Sequence, residues 1–431
     1  MEQSLFFKWL KDSFVKTITA VVNKINGKDG EPAYLFMTML TKKFSVNLKW
    51  GSLTTDGRTV AADIVSMDSS VPLKKRDSFK TVEGDVPKIG MKMRKTEREM
   101  QDIQILEATN TNGINNSQIL ELLYNDPVRC LRGVYEKVEY MLHELLSTGV
   151  TTISEDVNTG TAIRIDSGLS DSNRFGAEIA WSEDTAKPIS DIERIMERAK
   201  EKGKTPMYML MDRKAFNNFK SKAEVKELYA AGLNFAGSNI PTPNLEQINN
   251  ALSGQNLPTI VIIDRTVNVE KNGVRTVVRP WAANAVVFTS TITNIGDLVW
   301  SRLVEASNQA KDVTYAVADD YVLISEYHTK DPFSETVSSQ ALVVPVLNNV
   351  DGIFILNSEE ADADDSQTEG DADFAYKGTD YTKASVVAGL NKTKEVPTSD
   401  VSQADSTLQG KINKLSEEGV AVFEAELIES A

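Results

Sequence analysis

Few side chains in this chain are equipped for chemistry. His143, His328 and Cys130 are its only imidazole and thiol groups. A zinc site needs three or four such ligands at close spacing, so none is expected here. A single cysteine also excludes an internal disulfide framework. Asp212 and Asp264 each follow an apolar run, Pro206–Met211 and Thr259–Ile263. An α/β enzyme often places a carboxylate there, but an aspartate at a strand end equally caps a turn. Glu305, Glu326 and His328 could be drawn as an acid/base set, yet nothing in the sequence brings them together. The glycines of Asn26–Gly30 lack a following Lys-Ser/Thr, and no Walker motif, nucleophile elbow or zinc motif appears. The expectation is a protein that is not an enzyme and holds no cofactor and no metal.

Charge is the stronger signal. The 431 residues carry a formal net charge of −15. From Glu359 onward there are 17 acidic and 6 basic residues, a net of −11, so the first 358 residues hold about −4. Such a balance argues against a DNA-binding protein, because a phosphate-gripping surface needs clustered Lys and Arg. Val71–Arg98 departs from it, with nine basic and four acidic residues, a net of +5. This stretch is poor in apolar residues and punctuated by Pro72, Gly84, Pro87 and Gly90. It reads as a long basic excursion, either a solvated hairpin or an arm seeking an acidic partner.

The elements that must position these residues follow from periodicity. Val128, Leu131, Tyr135, Val138, Leu142 and Leu145 form one apolar face, predicting a long helix over 127–148 with Asp126 as N-cap. A short helix over 117–124 is expected before it. Phe7, Leu10, Phe14 and Ile18, with Val21 and Ile25, predict an amphipathic N-terminal helix. It could pack on its own core, lie on a membrane surface or dock on a neighbouring subunit. No run of 18 apolar residues appears, so no transmembrane helix is expected. Residues 44–107 read as extended chain. Residues 188–300 alternate helix and strand as in an α/β unit. Residues 313–357 return to strands, with Val350–Leu356 expected to pair with the early strands. Glu359–Asp373 has eight acids and no base and reads as a self-repelling linker. Helices over 381–391 and 406–429, the second broken near Gly419, form a small C-terminal appendix.

This order of elements resembles the major capsid proteins of tailed phages with the Hong Kong 97 fold, in particular the group of the phage lambda coat protein. Val71-Pro-Leu-Lys to Pro87-Lys-Ile is similar to that group's extended loop and the strand after it. Arg164-Ile-Asp166 through Trp181 and Pro188-Ile-Ser-Asp-Ile192 resemble the start of its axial domain, and Pro206–Asp212 that domain's first strand. Asp331-Pro-Phe333, Pro345-Val-Leu347 and Asp351-Gly-Ile353 resemble its closing strands.

The resemblance implies an α+β fold with an N-terminal arm (1–50), an extended loop (51–98), a peripheral domain (99–187 and 311–358) and an axial domain (188–310). The acidic linker (359–373) and helical appendix (374–431) lie outside it. It implies a shell subunit that self-assembles as pentamers and hexamers into an icosahedral head around double-stranded DNA. Assembly would occur in the host cytoplasm, with portal, scaffolding and decoration proteins as partners and no membrane. Lys74, Lys75, Arg76, Phe79 and Lys80 would then be loop contacts between subunits. Phe7, Leu10, Phe14 and Ile18 would be arm contacts. The rival readings are an α/β enzyme with a helical module, and an adaptor acting through its acidic tail.

Overall fold

The structure is a computed structural model. It describes residues 4, 6, 14–25, 34–55, 79–110, 116–153, 163–232, 241–271, 273–361, 373–376, 379–394, 396, 405–424 and 427. Helices α1 (Phe14–Lys24) and α2 (Phe36–Met39) lead into β1 (Leu40–Phe44). Strands β2 (Lys49–Thr55) and β3 (Phe79–Asp85) pair as an antiparallel ribbon, and β4 (Lys88–Thr96) runs into α3 (Glu97–Ala108). The expectation of extended chain to residue 107 is corrected at α3. Thr96 and Glu99 form a capping box, a helix-start pattern that the basic composition of the stretch obscures.

Helix α4 runs unbroken from Asn116 to Thr148 with Pro127 inside it. This replaces the expected short helix and fresh start at Pro127. Proline forfeits one intrahelical donor, while Ile119 and Leu123 before it and Cys130 and Leu131 after it are buried in one core. That shared burial outweighs a single lost bond. Val128 is half-buried, and Leu131, Tyr135, Val138, Leu142 and Leu145 are buried, as the apolar stripe requires. A Cβ at Gly133 would meet the Met91 side chain of β4, which would have to move aside.

After the spine helix α4 come the hairpin β5 (Val150–Ile153) and β6 (Ile163–Asp166), then β7 (Arg174–Ala177), α5 (Pro188–Glu201) and β8 (Tyr208–Met211). Helices α6 (Arg213–Ser221), α7 (Ala223–Gly232) and α8 (Leu245–Gly254) precede β9 (Thr259–Ile262). A second hairpin, β10 (Val267–Lys271) with β11 (Val274–Val278), is followed by β12 (Ala285–Thr289) and β13 (Gly296–Ser301). Short helix α9 (Val304–Ser307), β14 (Thr314–Ala318), β15 (Val322–Lys330), β16 (Phe333–Leu347) and β17 (Phe354–Ala361) complete the main body.

Two sheets organise it. One joins β1, β13, β16, β15 and β14, with β4 also paired to β16. The other has the order β7-β17-β12-β8-β9. Two strands fall in the sheet opposite to the one expected. β17 pairs with β12 in the α/β sheet instead of closing the sheet of the early strands. β13, expected in the axial region, lies between β1 and β16. Alternation marks a strand but does not name its neighbour.

The α/β sheet is covered on both faces, which is why its strands read as continuous apolar runs. Met209, Met211, Val286, Phe288, Phe354 and Leu356 join the core beneath its helices. Leu210, Val287 and Ile355, one residue out of phase, join the core around the spine helix.

Residues 361–431 form a separate compact unit. Its strands β18 (Asp373–Tyr376) and β19 (Thr379–Thr382) make a hairpin, followed by α10 (Lys383–Thr393), α11 (Asp405–Ile412) and α12 (Glu417–Glu424). Phe374, Val386, Leu390, Leu408, Ile412 and Phe423 are its core. Helix therefore begins at 383, after a strand, and the expected break falls over 413–416, ahead of Gly419.

Candidate functional surfaces

The acid/base candidates resolve into structural roles. Asp212 caps α6 by accepting the Ala215 N–H at 2.8 Å. Asp264 is an exposed partner of Arg213, 2.8 Å away. Glu305 accepts from the Tyr315 hydroxyl and the Gln340 amide. By strand alternation, Gln340 points to the sheet face opposite Glu326 and His328, so the proposed set is not assembled. Cys130 is buried, which pushes its thiol up to about 12, and it is no nucleophile. Among the described residues, no group of three or more His, Cys, Asp and Glu could hold a metal ion.

The spine helix holds a charged hub that the apolar stripe did not announce. Glu139 is fully buried, and its two oxygens accept the backbone N–H groups of Leu35 and Phe36 at 2.9 and 3.0 Å. The carboxylate thus caps α2 and pins the chain leading into β1. His143 Nε2 lies 3.3 Å from Glu139, one helical turn on. Glu136 accepts from the Tyr34 hydroxyl and from Arg265, both at 2.9 Å, and the Arg265 guanidinium lies 4.4 Å from the centre of the Tyr34 ring. Burial pushes the Glu139 carboxyl up, but His143 and the two N–H groups outweigh it and hold it below the ordinary range. The i, i+4 pair Glu139/His143 on the buried face was the sequence signal for this hub. Arg265 and Tyr34 had none.

A second charged cluster lies under the other end of the helix. Lys95 Nζ is 2.7 Å from Asp126, both largely buried. Glu335 sits opposite Lys95 on one side and His328 on the other. Glu326 is fully buried, and neither carboxyl oxygen has a hydrogen-bond partner among the described residues. Burial, with Glu335 and Asp126 adding to it and Lys95 opposing, pushes its carboxyl to about 8.

The structure also locates the assembly candidates. Phe14 and Ile18 are buried within the chain, Phe14 stacking 6.2 Å from Tyr124 of the spine helix. For these two residues the expected contact on a neighbour is corrected to packing on their own core, the outcome their apolar stripe equally allowed. Phe7 and Leu10 lie outside the described residues, as do Lys74, Lys75 and Arg76. Phe79 and Lys80 stand in β3, opposite Thr55 and Thr54. A groove of about 390 Å³ opens between the β2–β3 ribbon and the β5–β6 hairpin. Trp50, Val82, Pro87, Ile163 and Ile165 line it, with Glu83, Asp85 and Asp166 among its walls.

In chain order the described elements of the main body run N-terminal helix, β2–β3 ribbon, spine helix, α/β unit and returning strands. The chain is a member of the phage major capsid protein E family, whose model matches residues 15–357. It is a shell-forming subunit of a phage head and part of the virion. Similar solved structures include a prophage protein of Escherichia coli CFT073 assigned as a capsid protein, 13% identical, with a TM-score of 0.47 over 80% of this chain and 98% of that one. A phage-related protein of Bordetella bronchiseptica RB50 is 9% identical, with a TM-score of 0.44 over 80% and 97%. The capsid subunit of cyanophage A-1(L) is 12% identical, with a TM-score of 0.40 over 78% and 96%. No curated protein matches the chain.

Proposed function

We propose that this subunit assembles through pentamers and hexamers, with a Hong Kong 97-like arrangement, into an icosahedral shell around double-stranded DNA, without catalysis. The observation that carries the reading is the β2–β3 ribbon, whose strands end at Thr55 and Phe79 with 23 residues between them. Residues 51–98 act as the extended loop over a neighbouring copy, through Lys74, Lys75, Arg76, Phe79 and Lys80. The spine helix and the β1-β13-β16-β15-β14 sheet act as the peripheral domain. The five-stranded α/β unit, with β7 and β17 included, acts as the axial domain. Phe7 and Leu10 extend the N-terminal arm to a neighbour. Assembly takes place in the host cytoplasm with portal and scaffolding proteins, and a decoration protein binds some shells. DNA is enclosed without sequence-specific contacts, which the net charge of −15 favours.

The test is charge reversal at Lys74, Lys75 and Arg76 to Glu. The expected outcome is an intact fold by circular dichroism with shell yield reduced at least about tenfold at physiological salt, by light scattering and negative-stain electron microscopy. Normal shells from this variant would remove the loop assignment.

A further inference from the structure

Strand β4 carries a row of unanswered cations. Lys88, Lys92 and Arg94 are exposed on one face of the strand, with Gly90 between them. The other face holds Met91, against Gly133, and Lys95, paired with Asp126, so that face meets the spine helix and the row points away from it. None of the three cations has an ion-pair or hydrogen-bond partner among the described residues. By contrast, Lys42 and Lys43 of β1 are answered by Asp319 and Asp297.

Just before this row, the β2–β3 ribbon ends on the opposite charge. Glu83 and Asp85 are exposed and likewise have no partner among the described residues. They stand at the rim of the groove between the ribbon and the β5–β6 hairpin. Asp166, from the hairpin side, is already engaged by Arg164 and by the Gly168 N–H at 2.9 Å. The floor of the groove is apolar, with Trp50 and Ile165 only 5% and 3% exposed. An apolar floor with an acidic rim fits a side chain that is aliphatic along its stem and cationic at its tip, a lysine or an arginine.

Only Val86 and Pro87 lie between Asp85 and Lys88, yet the chain does not pair these acids with these bases. Glu83 and Asp85 are one two-residue step apart on β3, as Lys92 and Arg94 are on β4, and in extended chain that step is about 6.8 Å. The two sets therefore match in spacing as well as in sign. A surface that holds both sets side by side is complementary to itself, because a second copy offers bases to its acids and acids to its bases.

We propose that this surface is an interface between two copies of the chain, in which the row Lys88, Lys92 and Arg94 of one copy seats on the Glu83 and Asp85 rim of another. The inference rests on the reading of the chain as a shell subunit and names a contact by which its copies meet. The cationic tips answer the two carboxylates, and the aliphatic stems cover Trp50 and Ile165.

The test is a charge swap in the full chain. Lys88→Glu, Lys92→Glu and Arg94→Glu together reverse the row, and Glu83→Lys with Asp85→Lys reverses the rim. Each variant alone is expected to keep its fold by circular dichroism and to lose assembly at least about tenfold at physiological salt. Mixing the two variants is expected to restore assembly, because the reversed row then meets the reversed rim. A chain carrying all five substitutions is expected to assemble for the same reason. In a mixture of isotopically light and heavy native chains, a zero-length carbodiimide is expected to join Lys88 or Lys92 to Glu83 or Asp85 in peptide pairs of mixed label, less as salt is raised. Normal shells from the native chain and from either reversed variant would overturn this contact and leave the shell reading standing. Loss of assembly that neither mixing nor the five-substitution chain restores would overturn it as well. A native chain that stays monomeric at every concentration would overturn both readings. Protection of Lys88 and Lys92 from acylation by duplex DNA, without mixed-label coupling, would make the row a phosphate surface and overturn the interface.

Discussion

Two buried glutamates sit within reach of one helix and meet opposite fates. Glu139 has two backbone donors, a histidine and a guanidinium around it. Glu326 has neither oxygen hydrogen-bonded among the described residues and feels Glu335 and Asp126 as well as Lys95. Burial acts on both in the same direction, against the charged form. Only at Glu139 do donors outweigh it. The first site therefore keeps a carboxylate and uses it to hold the N-terminal segment. The second holds a neutral acid at pH 7. A carboxyl group thus reports its donors more than its depth.

The comparison breaks most visibly at Glu139. Glu139→Ala leaves two backbone N–H groups and His143 without the Glu139 carboxylate, while Arg265 keeps Glu136, and the expected loss is about 3–5 kcal/mol in denaturant unfolding. A loss below about 1 kcal/mol would mean that the hub does not hold α2.

Glu326 should behave in the opposite sense. Its folded pKa of about 8 lies above the unfolded carboxyl value of about 4.3, so the folded state binds the extra proton between them. Its contribution to stability is full below about 4.3 and is lost as pH rises toward 8. Glu326→Gln should match the native chain at pH 5 and exceed it at pH 8 by a few kcal/mol, read from unfolding midpoints. The reverse order would place a charge where the structure has a neutral group.

Tyr34→Phe sharpens the comparison from its weak end. It removes one donor to Glu136 and leaves Arg265 in place, so the expected cost is about 0.5–1.5 kcal/mol. A larger loss would mean that the tyrosine, and not Arg265, anchors the hub.

The spine helix was legible because five of its six stripe residues are buried at helical spacing. The α/β alternation was legible in the apolar runs at Met209–Met211, Thr259–Ile262 and Ala285–Phe288. Pro127 misled because proline reports a local cost, while Ile119, Leu123, Cys130 and Leu131 share one distant core. The hub was hidden because Tyr34 and Arg265 lie 102 and 129 residues from Glu136. The β18–β19 hairpin was hidden because Tyr381 reads equally well as the start of a helix.

By itself, the sequence determined the helix faces, the strand-forming runs, the basic excursion, the acidic segment and the absence of catalytic motifs. These depend on residue type and near-neighbour spacing, which the chain states directly. Tertiary structure alone decided that β17 joins β12 and β13 joins β16, that α1 packs on its own core, and which buried glutamate keeps its charge. Each of these depends on groups brought together from distant positions, and the energies of pairing and desolvation exist only once they meet.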